Sequence, residues 1–147
     1  MPGSPTTAKE SVAVEDYLEK ILELIDTKGY ARVADVATTL GIAPPSVSNM
    51  ARRLDEKGLV VYEKYRGLTL TEEGERLARR IIKRHAILAE FLDLLGIEPE
   101  TAHHDVEGME HHISAGTLRG IEQIIDELKA DQSLCHRIRA AATGRML

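Results

Sequence analysis

The segment Glu107-Gly108-Met109-Glu110-His111 holds the residue types best suited to chemistry in this chain. On a helix, the i, i+3, i+4 spacing of Glu107, Glu110 and His111 turns two carboxylates and one imidazole to the same side. Asp16 and Glu19 repeat the i, i+3 spacing near the other end of the chain, and His85 lies between the two segments. Four carboxylates and two imidazoles, with no thiolate among them, suit a hard or borderline divalent metal. Taken singly, Glu107, Glu110 and His111 read as a solvated helix face, Asp16 and Glu19 as acidic residues that favour a helix's first turn, and His85 as a packed or surface histidine. Their joint occurrence raises metal ligation as the rival reading, which the resemblance given below favours. Two metals bridged by carboxylates can also activate water for hydrolysis, so a binuclear hydrolase is the rival of another class. Against it, no separate general acid–base group accompanies these residues, and they fall on predicted helices rather than in a loop-rich cleft.

The elements that must position these groups follow from apolar spacing. A lead-in over residues 1–11, rich in Pro, Gly, Ser and Thr, reads as flexible. Val14, Leu18, Ile21, Leu22 and Ile25 then predict a helix over about 12–28, ended by Lys28-Gly29. Val33, Val36, Ala37 and Leu40 predict a second helix, and Gly41 a sharp turn. Pro44-Pro45 opens a third, where missing amide protons matter little. That helix buries Val47, Met50, Ala51 and Leu54 and turns out Ser46, Ser48, Asn49, Arg52 and Arg53. Two helices joined by a short glycine turn, the second polar and basic outside, form a helix-turn-helix pattern. Residues 59–63 and 68–71 read as strands around Lys64-Tyr65-Arg66-Gly67, a hairpin wing with a basic tip. Domain one therefore spans 12–72.

Domain two, 73–147, is helical. Thr71 caps a long helix to about Leu95, Gly96 stops it, and Pro99 opens a helix over about 99–112. Ser114 caps the next, which carries Leu118, Ile121, Ile124, Ile125 and Leu128 on one side. A short, basic, partly helical tail follows from about 131. The long helix holds Leu77, Ile81, Ile82, Ile87, Leu88, Phe91, Leu92, Leu94 and Leu95. That exceeds the need of one face and points to a homodimer seam. The fold class is mainly α: an N-terminal winged helix-turn-helix plus a C-terminal helical dimerisation domain.

The net charge of −5 at first argues against nucleic acid, but its distribution does not. Residues 31–84 carry eleven Lys/Arg against seven Asp/Glu, while residues 85–147 carry five against eleven. The acidic surplus sits with the candidate ligands, so bound cations should improve attraction to DNA. A single cysteine, Cys135, excludes an internal disulfide, fits a reducing cytosol and reads as a packing residue. No apolar run spans a membrane and no secretory signal opens the chain, so a cytoplasmic location is expected.

Three stretches together carry a resemblance: Lys28-Gly29-Tyr30-Ala31-Arg32-Val33, Val61-Tyr62-Glu63-Lys64-Tyr65-Arg66-Gly67-Leu68 and Asp105-Val106-Glu107-Gly108-Met109-Glu110-His111-His112. They are similar to the diphtheria-toxin-repressor (DtxR) family of metal-activated transcriptional repressors, and within it to the manganese transport regulators. The likeness covers about residues 14–130. It implies a winged helix-turn-helix joined to a dimerisation domain, with metal between them favouring the DNA-binding dimer. It implies two Mn2+ per protomer on Asp16, Glu19, His85, Glu107, Glu110 and His111, with Fe2+, Co2+ or Zn2+ entering in vitro. It implies a palindromic operator and control of metal-homeostasis genes such as those for manganese uptake, and no role at a membrane. Iron-responsive relatives, the second alternative, place Met at the position of Asp16 and Cys at that of Glu107; carboxylates at both favour manganese. Those relatives also carry a C-terminal SH3-like domain, for which this chain ends too early. His103 falls at their ancillary ligand position, but Ala89 stands where the matching acid belongs, so a surface or hydrogen-bonding role is expected. His112 is turned about 100° from His111 and reads as structural. Lys64 and Arg66 are expected on phosphates, and Ser46, Ser48, Asn49, Arg52 and Arg53 on the DNA face.

Overall fold

A computed structural model describes residues 5–144, with side chains over 11–144. The elements are α1 (Pro5–Lys28), α2 (Val33–Leu40), α3 (Pro44–Glu56), β1 (Val60–Glu63), β2 (Gly67–Leu70), α4 (Glu72–Leu94), α5 (Pro99–Met109), α6 (Ala115–Ala130) and α7 (Gln132–Gly144). The chain forms two compact units, residues 1–82 and 83–147, and the division falls inside α4. The expected domain change at 72/73 lies ten residues earlier, where α4 starts.

In the first unit, α1 supplies Val14, Tyr17, Leu18, Ile21, Leu22 and Leu24 to a core completed by Val36 and Ala37 of α2, Val47, Met50, Ala51 and Leu54 of α3, Leu59, Val60 and Leu68 at the hairpin, and Ala78 of α4. α1 begins at Pro5, so the flexible lead-in is helical over 5–11; residues 1–4 lie outside the described residues. Pro5 is tolerated at a first helical position, and Ala8-Lys9-Glu10 are strong helix formers.

The α2–α3 turn rests on Gly41, left-handed at φ 67°, with Ile42 N–H donating to Ala37 O at 3.1 Å. The strands pair antiparallel, Val60 with Leu70 and Glu63 with Gly67. Thr71 caps α4 as expected: its Oγ1 accepts from Gly74 N–H at 3.1 Å and donates to Gly58 O at 2.7 Å. Gly74 is required there, because a Cβ would stand 1.8 Å from Leu59 O.

In the second unit, Leu88 and Leu92 of α4 and Val106 of α5 form a core against which Phe91, Leu95, Ile97, Leu118 and Ile121 pack. The apolar richness of α4 thus has a cause besides a dimer seam. Leu77, Ala78 and Ile82 pack on one core, and Leu88, Phe91, Leu92 and Leu95 on the other. In this unit, among the described residues, the exposed large apolar side chain is Ile124 on α6. Ser114 Oγ caps α6 by accepting from Thr117 N–H at 3.1 Å. The tail is more ordered than the sequence suggested: α7 is a full helix, opened by Asp131 Oδ1 accepting from Leu134 N–H at 3.0 Å.

Candidate metal centre and nucleic-acid interface

The second unit brings four of the six expected ligands together. α4 presents His85, and α5 with the turn after it presents Glu107, Glu110 and His111. The helix is shorter than expected. It ends at Met109, Glu110 is its C-cap in αR conformation, and His111 lies in the following turn. Residues 107, 110 and 111 still converge because αR backbone continues through Glu110.

Glu110 is the centre of this cluster. Its side chain is fully buried, and its Oε2 lies 2.8 Å from His85 Nδ1. Its Oε1 has His111 Nε2 at 3.4 Å but makes no hydrogen bond, the one buried side-chain oxygen or nitrogen so placed among the described residues. Glu107 Oε1 lies 3.9 Å from His85 Nδ1. Burial holds the Glu110 carboxyl above its ordinary value, and the Glu107 charge adds to this; the hydrogen bond from His85 and the charges of His85 and His111 work against it. Buried carboxylate oxygens are normally satisfied. An orphaned one between imidazoles, beside a second carboxylate, fits a divalent cation in both charge and donor chemistry.

One residue here escaped the sequence reading, and a second lies nearer the cluster than its expected surface role implies. Arg84 Nη1 donates to Glu110 O at 3.2 Å, placing a cation on the last carbonyls of α5 and fixing the Glu110 backbone. His103 is also closer than expected: one donor atom each from His85, His103 and Glu107 lie within 4.8 Å of one another. The signal was available, since His103 precedes Glu107 by one helical turn. Nothing in local spacing marks Arg84. His112 is exposed.

Asp16 and Glu19 lie on α1 in the first unit. Asp16 is half-buried, and Glu19 is 4% exposed in a helix otherwise buried through apolar residues. A carboxylate so buried calls for a compensating cation or hydrogen bonds.

The nucleic-acid face belongs to the same unit. Val47, Met50, Ala51 and Leu54 bury the inner side of α3, which leaves Ser46, Asn49, Arg52 and Arg53 exposed as expected and Ser48 half-buried. Arg52 Nη1 donates to Asn49 Oδ1 at 3.2 Å, so two candidate base readers hold each other in place. Lys64 and Arg66 are exposed at the wing tip, where Arg66 Nη1 stands 3.5 Å from Glu63 Oε2. No helix among the described residues is long and apolar enough to cross a membrane.

The two units also match known proteins. Residues 9–68 match the N-terminal DNA binding domain of the iron dependent repressors, and residues 71–136 match their metal binding and dimerisation domain. The HTH-type transcriptional regulator MntR of Lysinibacillus sphaericus is 42% identical over 135 residues, covering 92% of this chain and 97% of the relative. The regulator of the same name from Listeria innocua is 47% identical over 113 residues, 77% of this chain and 80% of the relative. Among solved structures, the manganese regulator SloR superposes with a TM-score of 0.67 at 26% identity, over 77% of this chain and 53% of that one. A manganese-dependent transcriptional repressor in complex with manganese gives 0.65 at 27%, over 77% and 52%. The chain thus spans about half the length of these two solved proteins. Its relatives are regulators of transcription, which removes the hydrolase alternative. The chain belongs to the iron-dependent repressor (DtxR) family and is a metal-dependent, DNA-binding transcriptional repressor.

Proposed function

We propose that this repressor answers to Mn2+, two ions per protomer, and that its metal-loaded homodimer reads a palindromic operator before metal-homeostasis genes in the cytoplasm. The observation that carries the metal half is the buried, hydrogen-bond-free Glu110 Oε1 beside His85, Glu107 and His111. Residue type, spacing and the family likeness add Asp16 and Glu19 to the ligand set. An oxygen-rich set suits Mn2+ and a coordination number above four. Zn2+ prefers four ligands, often with N or S, so it should fill the site incompletely and activate poorly. Relatives described as manganese regulators support the same metal.

When bound, the metal supplies positive charge that two or more carboxylates share. Without it, like charges such as Glu107 and Glu110 repel, and the protein samples several states. Ligation favours the one in which both recognition helices meet their half-sites, about 34 Å or a multiple apart. Apparent DNA affinity then rises by the inverse of the former population. The remaining side chains do the reading: Asn49 suits adenine and Arg52 or Arg53 suits guanine, while Lys64 and Arg66 meet phosphates. Ser46 and Ser48 complete the α3 contact.

The deciding experiment titrates Mn2+, Fe2+, Co2+ and Zn2+ against binding of fluorescent duplex DNA chosen by in vitro selection with the Mn2+-loaded chain. Mn2+ should activate most strongly. Activation by Fe2+ above Mn2+ would make this an iron sensor, and metal-independent binding would remove the switch.

A further inference from the structure

The most exposed aromatic side chain of the first unit has no part in any of this. Tyr65, between Lys64 and Arg66 at the wing tip, is 94% exposed, and its backbone is left-handed at φ 75°. Among the described residues it is the one non-glycine with positive φ. A bulky side chain in that region is strained, and strain kept at an exposed tip is a pointer to function. Glycine would serve the turn without strain, as it does two residues on. Gly67, at φ 108°, has no choice, because a Cβ there would lie 2.4 Å from Ala31 O. That close approach, with Leu68 N–H donating to Ala31 O at 2.8 Å, pins the base of the wing to the α1–α2 connection. The tip is therefore aimed by a fixed base. Lys64 Nζ stands 5.5 Å from the Tyr65 ring centroid, so an ammonium and an aromatic face are presented together.

We propose that Tyr65 is a specificity-determining DNA contact: with Lys64 and Arg66 on the flanking phosphates, its ring enters the minor groove beside each half-site and selects narrow, A·T-rich flanks. This rests on the DNA-binding reading above. A narrow A·T groove concentrates negative potential that draws cations inward. A flat ring between two cations packs against the sugar walls of such a groove, and the exocyclic amino group of guanine blocks it. A protein partner would favour an apolar surround, whereas Tyr65 is flanked by cations and by the exposed Glu63.

The test uses the full chain with Mn2+ and a duplex taken from in vitro selection, its flanks remade as A·T, G·C or inosine·C. The parent should lose about tenfold affinity from A·T to G·C flanks, the scale of one mismatched pair, and regain it with inosine·C, which lacks the minor-groove amino group. Tyr65→Ala should bind all three flanks equally and at the weaker value, and Tyr65→Phe should behave as the parent. Tyr65→Gly should melt no lower than the parent, and higher if strain is relieved, while losing the flank preference; this separates function from folding. If Tyr65→Ala keeps the parent's affinity and flank preference, the inference is wrong while DNA binding stands. If selection returns no duplex at all, both readings fall.

Discussion

His85 Nδ1 lies 2.8 Å from Glu110 Oε2, while the other oxygen of the same carboxylate is buried and makes no hydrogen bond. One half of the carboxylate is satisfied within the protein, and the other is the oxygen that the proposed cation would take. This makes Glu110→Gln informative. In EDTA the variant should melt at or above the parent, because a neutral amide replaces a carboxylate that burial disfavours. With Mn2+ a hundredfold above its dissociation constant, the parent should gain about 2.7 kcal/mol and the variant little. Calorimetry with and without metal decides it; equal Mn2+ stabilisation of both would remove Glu110 from the site.

Glu98 gives a pH dependence away from the ligands. As N-cap of α5 its carboxylate accepts from Glu100 N–H and Thr101 N–H, both at 3.0 Å. The first of these bonds, then the second, hold its pKa below the ordinary value. A depressed folded-state pKa means stability that is present above the unfolded-state pKa and is lost as pH falls through the folded one. Glu98→Ala should therefore melt below the parent at neutral pH, and the gap should shrink as the solution is acidified. A gap that is constant with pH would show that the cap acts without its charge.

Gly74 tests how the wing and α4 are joined. The Leu59 carbonyl occupies the space a Cβ would need, at 1.8 Å, and backbone cannot step aside cheaply. Gly74→Ala should lose about 3 kcal/mol, the upper end for overpacking, read by urea unfolding. A loss under about 0.5 kcal/mol, the range of ordinary surface changes, would mean the junction adapts.

Much of this was legible in the chain. The α3 face was readable because Val47, Met50, Ala51 and Leu54 recur at helical period, leaving Ser46, Asn49, Arg52 and Arg53 outside. Thr71 and Ser114 were readable as caps because the chemistry is local. What failed was non-local. Arg84 meets the Glu110 carbonyl across 26 residues, and no spacing announces that. The shortening of α5 before Glu110 is a C-terminal boundary with no glycine or proline following it to mark it. The apolar richness of α4 was legible, but not its division between two cores. Tyr65 was invisible because a left-handed tyrosine breaks the residue preference of its own turn.

On the ligand set proposed above, Asp16 bears on which metal is answered. Replacing its carboxylate with a thioether softens the donor set and removes one charge. Asp16→Met should narrow the margin of Mn2+ over Fe2+ in activating DNA binding, measured anaerobically by fluorescence anisotropy. An unchanged ranking of metals would show that Asp16 does not set selectivity.

The last expectation follows from linkage. If Mn2+ raises affinity for the operator by some factor, the operator must raise affinity for Mn2+ by the same factor, since both are arms of one thermodynamic cycle. A tenfold effect needs only about 1.4 kcal/mol of differential metal affinity between the DNA-competent state and the rest, well within the reach of a carboxylate-rich site. His111, whose side chain is 5% exposed with Nε2 3.4 Å from Glu110 Oε1, lies far from the α3 face in sequence and on the second unit. His111→Ala should therefore abolish the coupling and leave the melting profile in EDTA and the dimer intact, and Glu19→Ala, as the loss of a proposed ligand on α1, should abolish the coupling as well. Titration calorimetry of Mn2+ into the protein alone and into its DNA complex gives the parent's factor directly, and anisotropy of DNA binding with and without Mn2+ gives the other arm. The two factors should agree. Equal Mn2+ affinity in the presence and absence of DNA would mean that metal stabilises the protein without governing repression.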